Sequence, residues 1–434
     1  VKYNANIKVI QYLCDTFKDK IDINKKDCEG HSLFTLAVLY STNVEVIQYL
    51  WDIFKDKIDI NKRMNNGTTI FMLAAQNTNV KVIQYMCDMF KDIININQKN
   101  NDGKTVLMLA MKNNTNESVV RYLCDMFENT IDINIQDNKY NTALMIAVKE
   151  NMNDKVIQYL CDTFKNTIDI NKRSVDNVTV LLYAVEYNTN VKVIQYLCDT
   201  FKDTIDINQP GYYHGFNALM LAVKCNRDRD VIQCLCDTFK HQIDINIETI
   251  FGATAFLLAV QYNKHDKVIQ YLHDTFKDTI DINKENVNGR NALELAIKHG
   301  KEIVQCFCET FKDVIDINKQ YYYGRTAFML LIEHNINAKI IQHICEIFKD
   351  TIDINIRDND GMTAFMSAVL HTNATLVQYL YDMFKDTIDI NMQDKNNRTV
   401  IHIASRNADP NVLLYLCDIF KDTIDINQQN KQGY

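Results

Sequence analysis

The sequence predicts an all-α repeat fold, a solenoid-like stack of helix-turn-helix units joined by short extended finger loops. Three observations carry that prediction. The stretch Val191–Asn208, VKVIQYLCDTFKDTIDIN, returns almost intact at Val80–Asn97 and in looser form along the whole chain. A phenylalanine stands at the same place in every copy: Phe17, Phe54, Phe90, Phe127, Phe164, Phe201, Phe239, Phe276, Phe311, Phe348, Phe384 and Phe420. Between copies lies a second recurring pattern, a glycine followed two residues later by Ser, Thr or Asn. One copy carries a single apolar stripe with nothing inside itself to bury it against, so the copies must stack.

Each element follows from its residues. Glycine recurs at 30, 67, 103, 215, 252, 289, 324, 361 and 433, nine of the chain's eleven glycines. A glycine kept at one place reads as a tight turn needing positive φ. Tyr140, Asn177 and Asn397 replace it elsewhere, and Asn is the next best residue for that conformation. Two residues on, Ser32, Thr69, Thr105, Thr142, Thr179, Asn217, Thr254, Asn291, Thr326, Thr363 and Thr399 are all N-cap types, so each starts a short helix. Five residues further, ten of eleven copies have Ala, the exception being Leu331. A small side chain there lets two helices approach closely. A longer helix follows. In Val191–Phe201 the residues Val193, Ile194, Leu197, Cys198 and Phe201 share one face, opposite Lys192, Gln195, Asp199 and Lys202. Asn190 stands at its N-cap. The invariant ring reads as a plug between successive units, and Ile205-Asp206-Ile207-Asn208 reads as an extended segment by its alternation.

The extended segment ends in Asn at positions 24, 61, 97, 134, 171, 208, 246, 283, 318, 355, 391 and 427, intervals of 35 to 38 residues. That spacing predicts a single array over 1–434. It comprises a partial unit 1–24, eleven full units (25–61, 62–97, 98–134, 135–171, 172–208, 209–246, 247–283, 284–318, 319–355, 356–391 and 392–427) and a partial unit 428–434. Neither end carries the polar cap that a free solenoid needs, which reads as a piece of a longer array.

Composition excludes several function classes. The net charge of −8 is spread through the repeats, with no basic track for nucleic acid. No apolar run approaches the roughly 20 residues of a membrane span. Nine of thirteen cysteines share one repeat position (Cys14, Cys87, Cys124, Cys161, Cys198, Cys236, Cys308, Cys345 and Cys417). Equivalent atoms on stacked helices lie about 8–10 Å apart, beyond disulfide reach. They read as small buried hydrophobes in a reducing compartment, so the chain reads as intracellular and cytoplasmic. The pairs Cys234-x-Cys236 and Cys306-x-Cys308 suggest zinc, but residues two apart on a helix point away from each other. Ten histidines scatter over unrelated repeat positions, and no metalloprotease, nucleophile-elbow or phosphate-loop motif occurs. No metal, cofactor or catalytic residue is expected.

Turn, short helix, loop, longer helix and extended segment together resemble the ankyrin-repeat family. Asp358, Gly361, Thr363, Ala368 and Val369 match the first half of that family's pattern; Val193, Ile194, Tyr196, Leu197 and Cys198 the second; Ile205 to Asn208 its close. The resemblance covers essentially the whole chain. Its departures are a missing proline after the N-cap, a histidine surviving only at His402, and three extra residues around the invariant Phe, which imply a longer second helix. Unit 284–318 is shorter and regains a loop glycine, Gly300. The resemblance implies a non-catalytic scaffold or adaptor that binds another protein through a concave face and its finger tips. It implies no nucleic acid, no membrane insertion and no small-molecule substrate, and it makes the recurrent Asn a candidate for hydroxylation. An alternative is the recognition arm of a larger enzyme or channel; another is a purely mechanical spacer.

Finger tips differ most between copies. Tyr140, Tyr212, Tyr213, Phe216, Phe251, Tyr321, Tyr322 and Tyr323 are aromatics that a turn does not need. Aromatic anchors on a rigid surface are common interface hot spots, which makes these eight the candidate protein-binding residues. Drift in a Tyr-rich, Asn-rich composition is the competing explanation.

Overall fold

The structure is a computed structural model. It describes residues 6–60, 62–113, 117–150, 153–187, 190–212, 214–225, 229–262, 266–299, 301–334, 337–421, 423 and 428–433. Tyr213, Gly300, Asn61 and Asn427 lie outside the described residues, as does the amino-terminal Val1-Lys2-Tyr3-Asn4. Helices dominate: a short first helix and an 11-residue second helix alternate along the chain, for example Ala143–Lys149 then Asp154–Phe164, and Ala364–His371 then Ala374–Phe384. Among the described residues there is no strand, only the isolated bridges Gly211–Phe216 and Gln320–Thr326. None of the described helices is long and apolar enough to cross a membrane. The residues group into two compact units, Val1–Ala222 with Arg227–Ile243, and Val223–Asn226 with Asp244–Tyr434.

Helices this short are marginal on their own, so packing must hold them. Ten of the eleven candidate caps accept a backbone N–H of the first turn, and Thr399 stands at the N-cap of Val400–Ala404 with its hydroxyl 2.8 Å from His402 Nδ1. Thr69, Thr142, Thr326 and Thr363 accept from the backbone N–H three residues on, as do Asn217 at 2.9 Å and Asn291 at 3.1 Å. Where the cap is described, second helices are capped by Asn or Asp; Asn190 accepts from Lys192 N–H. In the first helix Ala143–Lys149 every residue from Ala143 to Val148 is buried. Such a helix has neighbours on all sides, which explains why its pattern is apolar all round rather than striped. The second helices keep one buried face, Val193, Ile194, Leu197, Cys198 and Phe201 in the copy first singled out.

The invariant rings are core. Phe239 is fully buried and Phe54, Phe90, Phe127, Phe164, Phe201, Phe276, Phe311, Phe348, Phe384 and Phe420 are buried, whereas Phe17, in the first copy, is 44 % exposed. Every second helix stops at this ring. The extra residues do not lengthen it; they fold into a separate turn whose amides return to the Phe carbonyl, Thr204 N–H and Ile205 N–H each reaching the Phe201 carbonyl at 2.9 Å.

The Ile-Asp-Ile-Asn segment is likewise not a strand. Its alternation survives as burial, with Ile205 and Ile207 inside and Asp206 outside, but the backbone turns at Asp206, whose carboxylate accepts from Asn208 N–H. The recurrent Asn explains its own period. Asn134 donates from Nδ2 to the Thr167 carbonyl at 2.7 Å and accepts from Asp169 N–H at 2.8 Å. Asn97, Asn171, Asn246, Asn318 and Asn355 make the same pair of bonds to the following repeat. One side chain thereby satisfies a backbone donor and a backbone acceptor of the next repeat.

Candidate functional site

The fingers are built from the turn upward. At the first position a carboxylate or amide often gathers the loop: Asp137 accepts from Lys139 N–H at 2.9 Å and from Asn141 N–H at 2.8 Å. The fourth position has positive φ in every described copy, and a Cβ on Gly103 would come within 2.5 Å of Asn138 Oδ1 in the next finger. Glycine is therefore favoured twice, by backbone conformation and by the neighbour's approach. Successive fingers are stitched through their backbones: Asn138 N–H to the Asp102 carbonyl, Val175 N–H to Lys139, Val287 N–H to Phe251 and Asn359 N–H to Tyr323, all at 2.8–3.0 Å. Because main-chain atoms hold this ladder, the tip side chains are left to vary.

The eight candidate aromatics separate under that scaffold. Tyr140, Phe251, Tyr322 and Tyr323 are exposed, Tyr322 at 68 % and Phe251 at 48 %. Phe216 and Tyr321 are 6 % and 8 % exposed and belong to the core, which corrects the expectation that they present their rings. Phe216 is buried because it immediately precedes the Asn217 cap, and Gly211 N–H bonds its carbonyl at 2.9 Å. Tyr321 occupies the first turn position, held by Asp27, Asp137, Asp358 and Asp394 in other fingers, and is buried there. Tyr212 is half-buried. Three of these tyrosines, Tyr140, Tyr212 and Tyr323, adopt φ of 59°, 56° and 64°. A left-handed residue other than Gly or Asn costs roughly 1–2 kcal/mol.

Two groups emerge, one in each compact unit. In the first unit Tyr140 lies next to Val175, also exposed, whose amide bonds the adjoining Lys139 carbonyl. Beside them an open groove of about 370 Å³ is lined by Asp102, Lys104, Lys139, Ile146, Lys149 and Glu150 among others. In the second unit Ile250 and Phe251 sit beside Val287, all exposed, and the next finger carries Tyr322 against Tyr323, ring centroids 4.2 Å apart in an edge-to-face arrangement. The Arg325 guanidinium lies 5.9 Å from the Tyr323 ring and pairs with Glu333 at 2.8 Å. Ile250, Val287 and Val175 were missed from the sequence because single aliphatics are unremarkable there. Their shared second position in the turn was the available signal. Among the described residues no group of three or more His, Cys, Asp or Glu is placed to hold a metal ion.

Comparison with known proteins fits this geometry. The family described as ankyrin repeats (3 copies) matches in nine overlapping stretches, residues 1–100, 51–137, 86–174, 127–210, 144–249, 219–321, 256–358, 308–394 and 328–430. The chain belongs to the ankyrin-repeat family. A solved structure similar to it is the ankyrin repeat domain of Bcl-3, described as a unique member of the IkappaB protein family. It is 21 % identical, covering 56 % of this chain and 99 % of its own, with a TM-score of 0.45. A search of the curated proteins found no match.

Proposed function

We propose that the chain is a non-catalytic scaffold or adaptor that holds a protein partner on its fingers and the adjoining first helices. The observation that carries this is the run of exposed apolar tips Ile250, Phe251, Val287, Tyr322 and Tyr323 over three consecutive fingers of the second unit. Finger geometry does not require them, since equivalent positions elsewhere hold Asn101, Asp102, Asn138 and Lys139. Tyr323 even holds a left-handed conformation that its side chain disfavours. Large apolar side chains on a preformed surface lose little freedom on binding and make strong anchors. Family membership supports the same reading, because ankyrin repeats serve widely as interaction modules.

The test is capture of binding proteins from extract by the immobilised chain, compared with a variant carrying Phe251→Ser, Val287→Ser, Tyr322→Ser and Tyr323→Ser. Specific capture is expected to fall at least tenfold with thermal unfolding unchanged. Equal capture by both forms would remove this surface from the mechanism.

A further inference from the structure

On the outer surface the second helices are tied by a repeated side-chain contact. Tyr49 donates to the Asp15 carboxylate of the preceding repeat, Tyr159 to Asp125, and Tyr196 to Asp162. The same tyrosine position also faces the recurrent cysteine of the preceding repeat, as Tyr122 faces Cys87. In the helix Arg229–Phe239 this tyrosine is replaced by Cys234. The register is unchanged, so Cys234 faces Cys198 on Val191–Phe201, and the two thiols interact electrostatically. These two helices also pack more closely than the other described pairs of successive second helices. Cys198 is buried, Cys234 is half-buried, and both are free thiols. Cysteines at equivalent repeat positions lie out of disulfide range, but these two are not equivalent: the offset of two positions sets Cys234 against Cys198.

We propose that Cys198 and Cys234 form an oxidisable dithiol that closes to a disulfide between the two helices when the chain meets a peroxide. Cys234 is the attacking sulfur, being the solvent-accessible member. The neighbouring Cys198 thiol holds its pKa below the ordinary thiol value against the opposing effect of burial. The thiolate attacks one peroxide oxygen, the O–O bond breaks, and Cys234 becomes a sulfenic acid as hydroxide leaves. The Cys198 sulfur then attacks the Cys234 sulfur. The S–O bond breaks, the hydroxyl departs with the Cys198 proton as water, and the S–S bond forms. Two thiols are oxidised and one peroxide is reduced to two waters. The recurrent cysteines Cys87, Cys124 and Cys161 are spared, because burial pushes each thiol up to about 12.

The experiment treats the full chain with hydrogen peroxide, blocks remaining thiols with iodoacetamide, and maps tryptic peptides without reductant. The expected product joins Val193–Lys202 to Asp230–Lys240, with fragmentation placing the bond on Cys234 rather than Cys236. Residues Val156–Lys165 have the same sequence as Val193–Lys202, so the partner is assigned by variants. The product should fall to background in Cys198→Ala, persist in Cys161→Ala, and be restored to free thiols by dithiothreitol. Cys234→Tyr recreates the residue at Tyr196; it should fold normally by circular dichroism and yield no linked peptide. A Cys234 that stays alkylatable, that passes to sulfinic acid unlinked, or that links equally well in Cys198→Ala overturns the proposal.

Discussion

Fingers three and four of the first unit and fingers seven to nine of the second use one backbone plan for opposite ends. In the first group the tip side chains join the scaffold: Asn101 Nδ2 donates to the Asn65 carbonyl at 3.1 Å and Asn138 Nδ2 to the Asn101 carbonyl at 2.8 Å. In the second group the corresponding positions hold Ile250, Val287 and Tyr322, which add nothing to that ladder and face outward. The main-chain bond survives, Val287 N–H to the Phe251 carbonyl at 2.9 Å. A scaffold held by main-chain atoms and buried rings tolerates either choice at its tips, and so can carry recognition in one stretch and reinforcement in another.

That contrast fails if stability resides in the tips, and the sharpest test is therefore in the core. Phe239→Ala should cost about 3–5 kcal/mol, while Phe17→Ala, at a ring already 44 % exposed, should cost far less; urea denaturation of both variants measures the gap. Next comes the asparagine spine. Asn171 donates to the Thr204 carbonyl at 2.6 Å and accepts from Asp206 N–H at 3.1 Å, so Asn171→Ala should lose about 1–2 kcal/mol at the usual net value of a hydrogen bond. The tips themselves should then differ by group. Asn138→Ala should lose about 1 kcal/mol, and Tyr322→Ser should stay within about 0.5 kcal/mol. Equal losses in the two groups would erase the distinction drawn above.

The smallest effect is in pH dependence. Finger eleven begins with Asp394 where finger nine has Tyr321. Burial pushes the Asp394 carboxyl up, but the Arg398 guanidinium at 2.6 Å and the backbone N–H groups of Arg398 and Asn396 outweigh it, leaving the group below the usual carboxylate range. A carboxyl lowered in the folded state stabilises fully above its unfolded pKa of about 3.9 and loses that contribution as pH falls through the folded value. Asp394→Asn should flatten the acid limb of the stability profile, and Asp394→Ala should not restore it. An unchanged acid limb would show that the Arg398 pairing is too solvent-screened to matter.

Much of the scaffold was readable in the residues. The eleven N-caps, the buried rings and the alternation of short and long helices all follow from patterns that repeat, and repetition separates a requirement from an accident. Two local readings needed correction. The alternation in Ile205-Asp206-Ile207-Asn208 reads as an extended segment, yet the backbone turns after Asp206, whose carboxylate accepts from Asn208 N–H. The residues after the invariant Phe continue a helical composition, but the Thr204 and Ile205 amides close back on the Phe201 carbonyl, and after Phe54 and Phe90 the chain makes a separate short 3-10 turn. The site was legible only in part. Tyr321 and Tyr322 are neighbours of the same type, and nothing in their local sequence says that one is buried and the other exposed.

The sequence alone determined the period, the two-helix unit and the dependence of each unit on its neighbours, because these rest on local propensity and on apolar stripes that cannot be buried within one copy. Only the tertiary structure decided which finger aromatics are core and which are surface, what the recurrent asparagine bonds, and that Cys234 meets Cys198. Each of those depends on atoms some 35 residues away in the chain, brought within a few ångströms by stacking, and no local pattern encodes that distance.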